Sequence, residues 1–110
     1  MKVAYMFESA HAFIILESMI IPQMEENRHG AQVVGMVFFF DNTFLIVDGV
    51  PLGERINELA KKTGMLVLGC DRCCYQRGID KKLISSAVMG CFPDVYAALG
   101  KVGVDQVITL

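Results

Sequence analysis

Short apolar stretches alternate with amphipathic stretches along the whole chain, and this alternation constrains the fold more than any single motif. The longest apolar stretch covers residues 31–40 and is interrupted only by Gln32 and Gly35. A nearly continuous apolar run is typical of a central strand that is covered on both faces. Strands that alternate with helices predict a parallel sheet with helices packed on both sides. The sequence therefore predicts an α/β fold.

Turn and capping residues give approximate bounds to these elements. Strands are expected at residues 2–7, 31–40, 65–70, 87–91 and 106–110. Helices are expected at residues 9–29, 52–62, 71–77, 81–86 and 93–99. Ser9 and Asp80 are the predicted N-caps of the first and fourth helices, because their side-chain oxygens can accept a backbone N–H. Pro22 is expected to interrupt or kink the first helix.

Length and composition limit the possible classes of function. The 110 residues fit one domain, residues 1–110, and the 54% hydrophobic content predicts an oligomer that covers part of the apolar surface. The net charge is −2, without a basic stripe, so neither nucleic acid nor a membrane surface is an expected partner. No apolar run approaches the ~20 residues of a spanning helix, and no signal peptide is recognisable. A cytoplasmic protein is expected.

Polar and sulfur-containing residues collect at the predicted strand-to-helix junctions. These junctions are residues 8–11, 41–42, 70–74 and 91–94. In a parallel sheet the carboxyl ends of the strands lie at one edge, where functional residues gather. All four cysteines, Cys70, Cys73, Cys74 and Cys91, are therefore expected at that edge. In a chain without a secretion signal they are more typical of thiol chemistry or metal binding than of structural disulfides.

Cys70 is the leading candidate among them because it directly follows a strand and precedes a helix. The partial positive charge of a helix N-terminus favours the thiolate, and Arg72 would add to this effect. Cys70 and Cys73 form a C-x-x-C pair, a spacing that permits dithiol chemistry. An ordinary role as small core residues is the alternative for Cys73 and Cys74.

Further candidates lie at the same edge. His11 could help to deprotonate a thiol, or it could be a half-buried helix residue. Asp41 and Asn42 could form hydrogen bonds to a ligand, or they could simply end a strand. Cys70, Cys73 and Cys91 could supply three thiolates to a metal ion, although only one C-x-x-C pair is present. No dinucleotide or P-loop motif occurs, and no cofactor is expected.

Three segments, taken in order, resemble the DsrE/DsrF-like proteins, which include the TusD-type sulfur-relay subunits. The segments are VGMVFFF at residues 34–40, CDRCCYQRGI at 70–79 and GCFPDVYAAL at 90–99, followed by DQVI near the end of the chain. The resemblance spans nearly the whole chain. It extends to the SaoD-type branch of the family, which is linked to selenium metabolism.

The resemblance implies a three-layer α/β/α sandwich with a five-stranded parallel sheet in the order 4-3-2-1-5. It implies a trimer or hexamer that exchanges sulfur with donor and acceptor proteins. The sulfur-accepting cysteine of the family lies eight residues before the glycine of an Arg-Gly pair, and this position corresponds to Cys70, eight before Gly78. The family has small apolar residues after that cysteine, whereas this chain has Asp71 to Cys74. Many members lack the cysteine and are structural subunits, so a structural or binding role is the alternative.

Overall fold

Five parallel strands form one sheet. The computed structural model describes residues 1–110. The strands are β1 (Lys2–Phe7), β2 (Gln32–Phe38), β3 (Leu66–Cys70), β4 (Ala87–Gly90) and β5 (Gln106–Thr109). Their order in the sheet is β4-β3-β2-β1-β5. The predicted α/β class and the strand order implied by the resemblance are both confirmed.

The helices connect these strands and cover the sheet. They are α1 (Ala12–Ile15), α2 (Ile21–Glu25), α3 (Pro51–Thr63), α4 (Asp71–Gln76) and α5 (Phe92–Val102). A π-helical turn, Leu16–Ile20, joins α1 to α2, and a 3₁₀ segment covers Phe40–Ile46. None of the helices combines the length and apolarity that crossing a lipid bilayer requires.

The first helical stretch continues through Pro22, but a π-helical turn interrupts the α-helix directly before it, in agreement with the predicted interruption or kink. A proline removes one backbone donor, and its ring clashes with the carbonyl four residues earlier in a regular α-helix. Here the wider π-helical turn directly precedes α2, whose second residue is Pro22, and backbone dihedrals stay right-handed helical at Ile20 and Ile21. The wider turn gives the proline ring space away from that carbonyl, so the helical stretch continues past Pro22.

Two hydrophobic cores lie on opposite faces of the sheet. The larger contains Phe7 and Phe38, whose ring centroids are 5.0 Å apart, and it is covered by the helical stretch from α1 to α2 and by α3. The smaller contains Val37, Leu68 and Leu99 and is covered by α5. This arrangement confirms the predicted three layers and leaves one face with a single long helix.

Two predicted helical features are wrong because backbone groups are bonded elsewhere. Residues 81–86 form turns and not a helix: the Ile84 N–H donates to the Ile46 carbonyl, and the Lys82 carbonyl accepts from the Asp48 N–H. Ser9 does not cap the first helix, which begins three residues later. Its N–H donates to the Leu110 carbonyl, so the loop after β1 is bonded to the end of the chain.

Gly53 lies where α3 crosses the backbone of the preceding segment. A Cβ atom at this position would be 2.7 Å from the Leu45 carbonyl oxygen and 3.1 Å from that of Val47. Because backbone atoms cannot rotate away, we expect Gly53→Ala to lower the free energy of unfolding by about 2 kcal/mol or more. Chemical denaturation followed by circular dichroism measures the change.

Gly100 in α5 provides the matched control. A Cβ atom there has no neighbour within 4 Å. We expect Gly100→Ala to be neutral or to stabilise the protein by up to about 1 kcal/mol, because alanine has the higher helix propensity. Equal effects of the two substitutions would contradict the close approach at Gly53.

Candidate functional site

Cys70 ends β3 and is the N-cap of α4, as its position in the sequence predicts. Its Sγ accepts a hydrogen bond from the Cys73 N–H at 3.4 Å. In the parallel register of β3 and β4, Cys70 is paired with Gly90. Cys91, the residue after Gly90, therefore lies beside Cys70 at the carboxyl end of the neighbouring strand.

Cys70 and Cys91 line one open cleft of about 420 Å³ at this edge of the sheet. The cleft is bounded by the two cysteines, three aromatic residues and two charged residues: Cys70, Cys91, Phe39, Tyr75, Phe92, Asp71 and Arg72. The rings of Phe39 and Phe92 stack with centroids 5.6 Å apart, and Tyr96 extends the stack at 6.2 Å from Phe92. The walls are thus mainly apolar, with Arg72 as the cation expected near the thiols.

Cys91 is exposed and is the N-cap of α5. Its backbone N–H donates to Asp94 Oδ2 at 2.8 Å. Gly90 permits this close approach of Asp94 to the start of the helix, since a Cβ there would be 2.7 Å from the Cβ of Asp94. The capping role of Asp94 was not predicted, although an acidic residue three positions after a possible N-cap is a sequence signal for it.

The pKa of Cys70 is raised, so the expected lowering by the helix N-terminus is wrong. Burial is the main cause, and the side-chain hydrogen bond with Cys73 and the charge of Asp71 add to it. The backbone hydrogen bond from Cys73 acts in the opposite direction but is the smaller effect. Cys70 is half-buried, and at neutral pH it is held mainly as the thiol.

Cys73 and Cys74 point away from the cleft and are buried. The Sγ of Cys73 accepts the Phe40 N–H at 3.1 Å, while Cys74 packs beneath Gly69. Burial, and then the neighbouring Cys70 and Cys73 thiols, raise the pKa of Cys74 to about 11. Cys73 contacts Cys70 through its backbone N–H. Cys74 is a small core residue, which was the predicted alternative to thiol chemistry.

Phe40 and the residues that follow it support α4 and do not line the cleft, which Phe39 borders. Phe40 has a positive φ of 54°, which is unusual for a bulky residue. Asp41 Oδ1 accepts from Arg77 Nε at 2.9 Å, and Arg77 Nη1 donates to the Cys73 carbonyl at 3.2 Å. Asp41 therefore holds the end of α4 through Arg77, a role different from both predicted alternatives, the ligand contact and the simple end of a strand.

Asn42 and His11 lie outside the cleft as well. Asn42 is buried, and its side-chain N–H donates to the Ser9 carbonyl at 3.0 Å. His11 is exposed at the start of α1, after β1. Since β2 lies between β1 and β3, this junction is roughly 10 Å from the Cys70 junction across the sheet. The sequence prediction placed these residues at the correct edge but not in the same cleft.

The cysteines do not converge as three ligands of one metal ion. No cluster of three or more His, Cys, Asp or Glu side chains has an arrangement that could hold a metal. Cys70 and Cys91 face the cleft, whereas Cys73 is turned toward Phe40. This geometry gives no support to the predicted alternative of a site formed by the three thiolates.

Comparisons with known proteins identify the fold. No protein-family model and no curated protein sequence matches the chain. The crystal structure of the YchN protein from E. coli superposes with a TM-score of 0.67 at 16% identity, over 99% of this chain and 97% of YchN. The fold is DsrE-like.

A second structure of the DsrE-like fold gives the same result. The conserved protein of unknown function BT1422 from Bacteroides thetaiotaomicron superposes with a TM-score of 0.71 at 13% identity, over 99% of this chain and 94% of BT1422. Both identities are low, so the two structures establish the DsrE-like fold and do not distinguish its TusD-type and SaoD-type branches.

The burial of the thiols predicts the order in which they react. With a pKa of about 11, Cys74 is thiolate in only about one molecule in ten thousand at pH 7, and its side chain is also inaccessible. We expect iodoacetamide to modify Cys91 first, Cys70 next, and Cys74 only when the protein unfolds. Because the pKa of Cys70 is raised, its rate should increase as the pH rises above neutral.

Trypsin separates the thiols for this measurement. Cleavage places Cys70 in residues 63–72, Cys73 with Cys74 in residues 73–77, and Cys91 in residues 83–101. A time course of peptide masses gives each rate, and the same reaction in guanidinium chloride is the control in which all four thiols react. Modification of Cys74 as fast as Cys70 in the native protein would contradict the described burial.

Proposed function

We propose that this protein is a sulfurtransferase-type carrier that holds sulfur as a persulfide on Cys70 and passes it to an acceptor protein. The observation that carries the proposal is that Cys70, at a strand end, opens into an apolar cleft that it shares with a second thiol. The resemblance to the DsrE/DsrF-like proteins assigns the sulfur-accepting role to the same position. The DsrE-like fold supports this assignment.

The cleft has properties that suit a persulfide. The half-buried position of Cys70 limits attack by thiols in solution, and the rings of Phe39 and Phe92 form an apolar wall of the cleft beside it. The Cys73 N–H can donate to the sulfur that stays attached to the chain. A raised pKa slows the first attack on a donor, but it also makes the thiolate, once formed, a stronger nucleophile.

Donor and acceptor proteins are the proposed partners, and the carrier is proposed to be a trimer or hexamer of this chain. The donor gives its outer sulfur to the Cys70 thiolate and leaves as a thiolate, so that no further oxidant is needed. Selenium forms the analogous bond to a cysteine sulfur, and the proposal therefore includes selenium as the transferred element.

A second candidate function is a binding or structural subunit without transfer chemistry. The raised pKa of Cys70 favours this alternative, because a thiol that is mainly protonated is a poor nucleophile at neutral pH. In that case the cleft between Cys70 and Cys91 would hold a small ligand, and the thiols would line it without reacting.

Loading with a persulfide donor distinguishes the two functions. We expect the wild-type protein, after incubation with glutathione persulfide at pH 8, to gain the mass of one sulfur on the tryptic peptide of residues 63–72. Reduced glutathione, which has no transferable sulfur, is the control. A glutathione selenopersulfide arm compares the two elements. A protein whose Cys70 peptide gains neither element has no carrier function.

A further inference from the structure

Two thiols of different accessibility share the cleft, and this difference defines a direction for transfer. Cys91 is exposed at the start of α5, while Cys70 is half-buried beside it. The β3–β4 register pairs Cys70 with Gly90, the residue before Cys91, so the two cysteines start from adjacent positions on neighbouring strands. A donor from solution reaches Cys91 before it reaches Cys70.

We infer that Cys91 is the receiving thiol, which takes sulfur from the donor and transfers it across the cleft to Cys70. This inference rests on the proposed carrier function and adds a second reacting residue to it. In the first step the Cys91 thiolate attacks the outer sulfur of the donor persulfide, and the donor leaves as a thiolate. Cys91 then carries the persulfide.

The second step is an exchange between the two cysteines. The Cys70 thiolate attacks the outer sulfur of the Cys91 persulfide, a new S–S bond forms at Cys70, and the S–S bond at Cys91 breaks with its electron pair left on Cys91. Cys91 takes up the proton that Cys70 released. One S–S bond replaces another, so there is no net oxidation or reduction.

The surroundings of the two thiols favour this direction. Cys91 is exposed at the first turn of an 11-residue helix, so water remains in contact with the sulfur that departs from it. A thiol whose anion is better stabilised is the better leaving group. Burial disfavours the anion of Cys70, so the sulfur is held more stably there, in its bonded form.

Serine variants test the inference without removing the helix caps. Serine is a preferred N-cap residue, so Cys91→Ser and Cys70→Ser keep the backbone hydrogen bonds of α5 and α4 while removing the reactive sulfur. Each protein is mixed with glutathione persulfide, quenched with an alkylating agent at successive times and digested with trypsin. The peptides of residues 63–72 and 83–101 report Cys70 and Cys91 separately.

In the wild-type protein we expect sulfur on the Cys91 peptide first and on the Cys70 peptide later. Cys70→Ser should retain sulfur only transiently on Cys91, and Cys91→Ser should load Cys70 at least about tenfold more slowly, because the intramolecular step is lost. Loading of Cys70 in Cys91→Ser at the wild-type rate would overturn the inference and leave the carrier function intact. If Cys70 gains no sulfur in either the wild-type protein or Cys91→Ser, both this inference and the proposed carrier function are rejected.

Discussion

Cys70→Ser is expected to remove the stable store of sulfur from the protein. After the donor has been removed by gel filtration, the wild-type protein should hold about one transferable sulfur per chain, and Cys70→Ser less than about a tenth of that amount. Serine cannot form the S–S bond, and a persulfide on exposed Cys91 returns its sulfur to the released glutathione before the small molecules are removed. Cyanolysis, which converts persulfide sulfur to thiocyanate, quantifies the retained sulfur.

Cys74→Ala is the matched control for this loss. Cys74 is fully buried beneath Gly69 and has no surface in the cleft, so its removal should leave sulfur retention unchanged. Alanine is preferable to serine here because a buried hydroxyl without a partner costs about 1–3 kcal/mol. Full retention in Cys70→Ser would move the carrier role to Cys91 or Cys73 and would reject the assignment of Cys70.

The second prediction with a large expected effect concerns the oligomeric state of the protein. We expect light scattering at micromolar concentration to give three or six times the mass of one chain. On the sheet face that α5 covers, Val88 and Val107 remain exposed on the two edge strands, and 66% of Tyr96 on α5 itself is exposed. Exposed apolar groups of this kind on one face are typical of contacts between subunits.

Val88→Lys should shift this assembly toward single chains. A lysine placed in an apolar contact without a partner weakens it by about 3 kcal/mol, or roughly a hundredfold in the dissociation constant. Met19→Lys, an equally exposed position on the π-helical turn of the opposite face, is the control and should leave the mass unchanged. A wild-type protein that is a single chain at micromolar concentration would contradict the expected oligomer.

Local signals predicted most of the fold correctly. Gly64 ends α3 with a φ of 76°, and Gly78 follows α4 with a φ of 66°, as expected for glycines beyond helix ends. The two wrong helical features, at Ser9 and at residues 81–86, depend on hydrogen bonds to distant segments. Such bonds have no local pattern, so they could not be read from neighbouring residues.

His29 is a further residue whose hydrogen bond depends on a distant segment and not on its neighbours in sequence. Its position directly before Gly30 would favour contact with the free carbonyls at the end of the first helix. Instead its Nε2 is hydrogen-bonded to the Tyr5 hydroxyl at 2.8 Å, and the two rings meet edge to face. The partner lies on β1, which is 24 positions away in the chain, and only the packing of the loop onto the sheet brings the two together.

For the candidate site, the sequence by itself determined that Cys70 and Cys91 lie where a strand ends and a helix begins, because strand ends and helix starts have local patterns. Tertiary structure alone decided which cysteines share the cleft. Successive residues of a helix point in different directions, so Cys73 and Cys74 turn into the protein while Cys70 faces the cleft. Burial raises the pKa of Cys70 above the value that its helix position predicted, because desolvation depends on every element packed around the thiol and not on its neighbours in sequence.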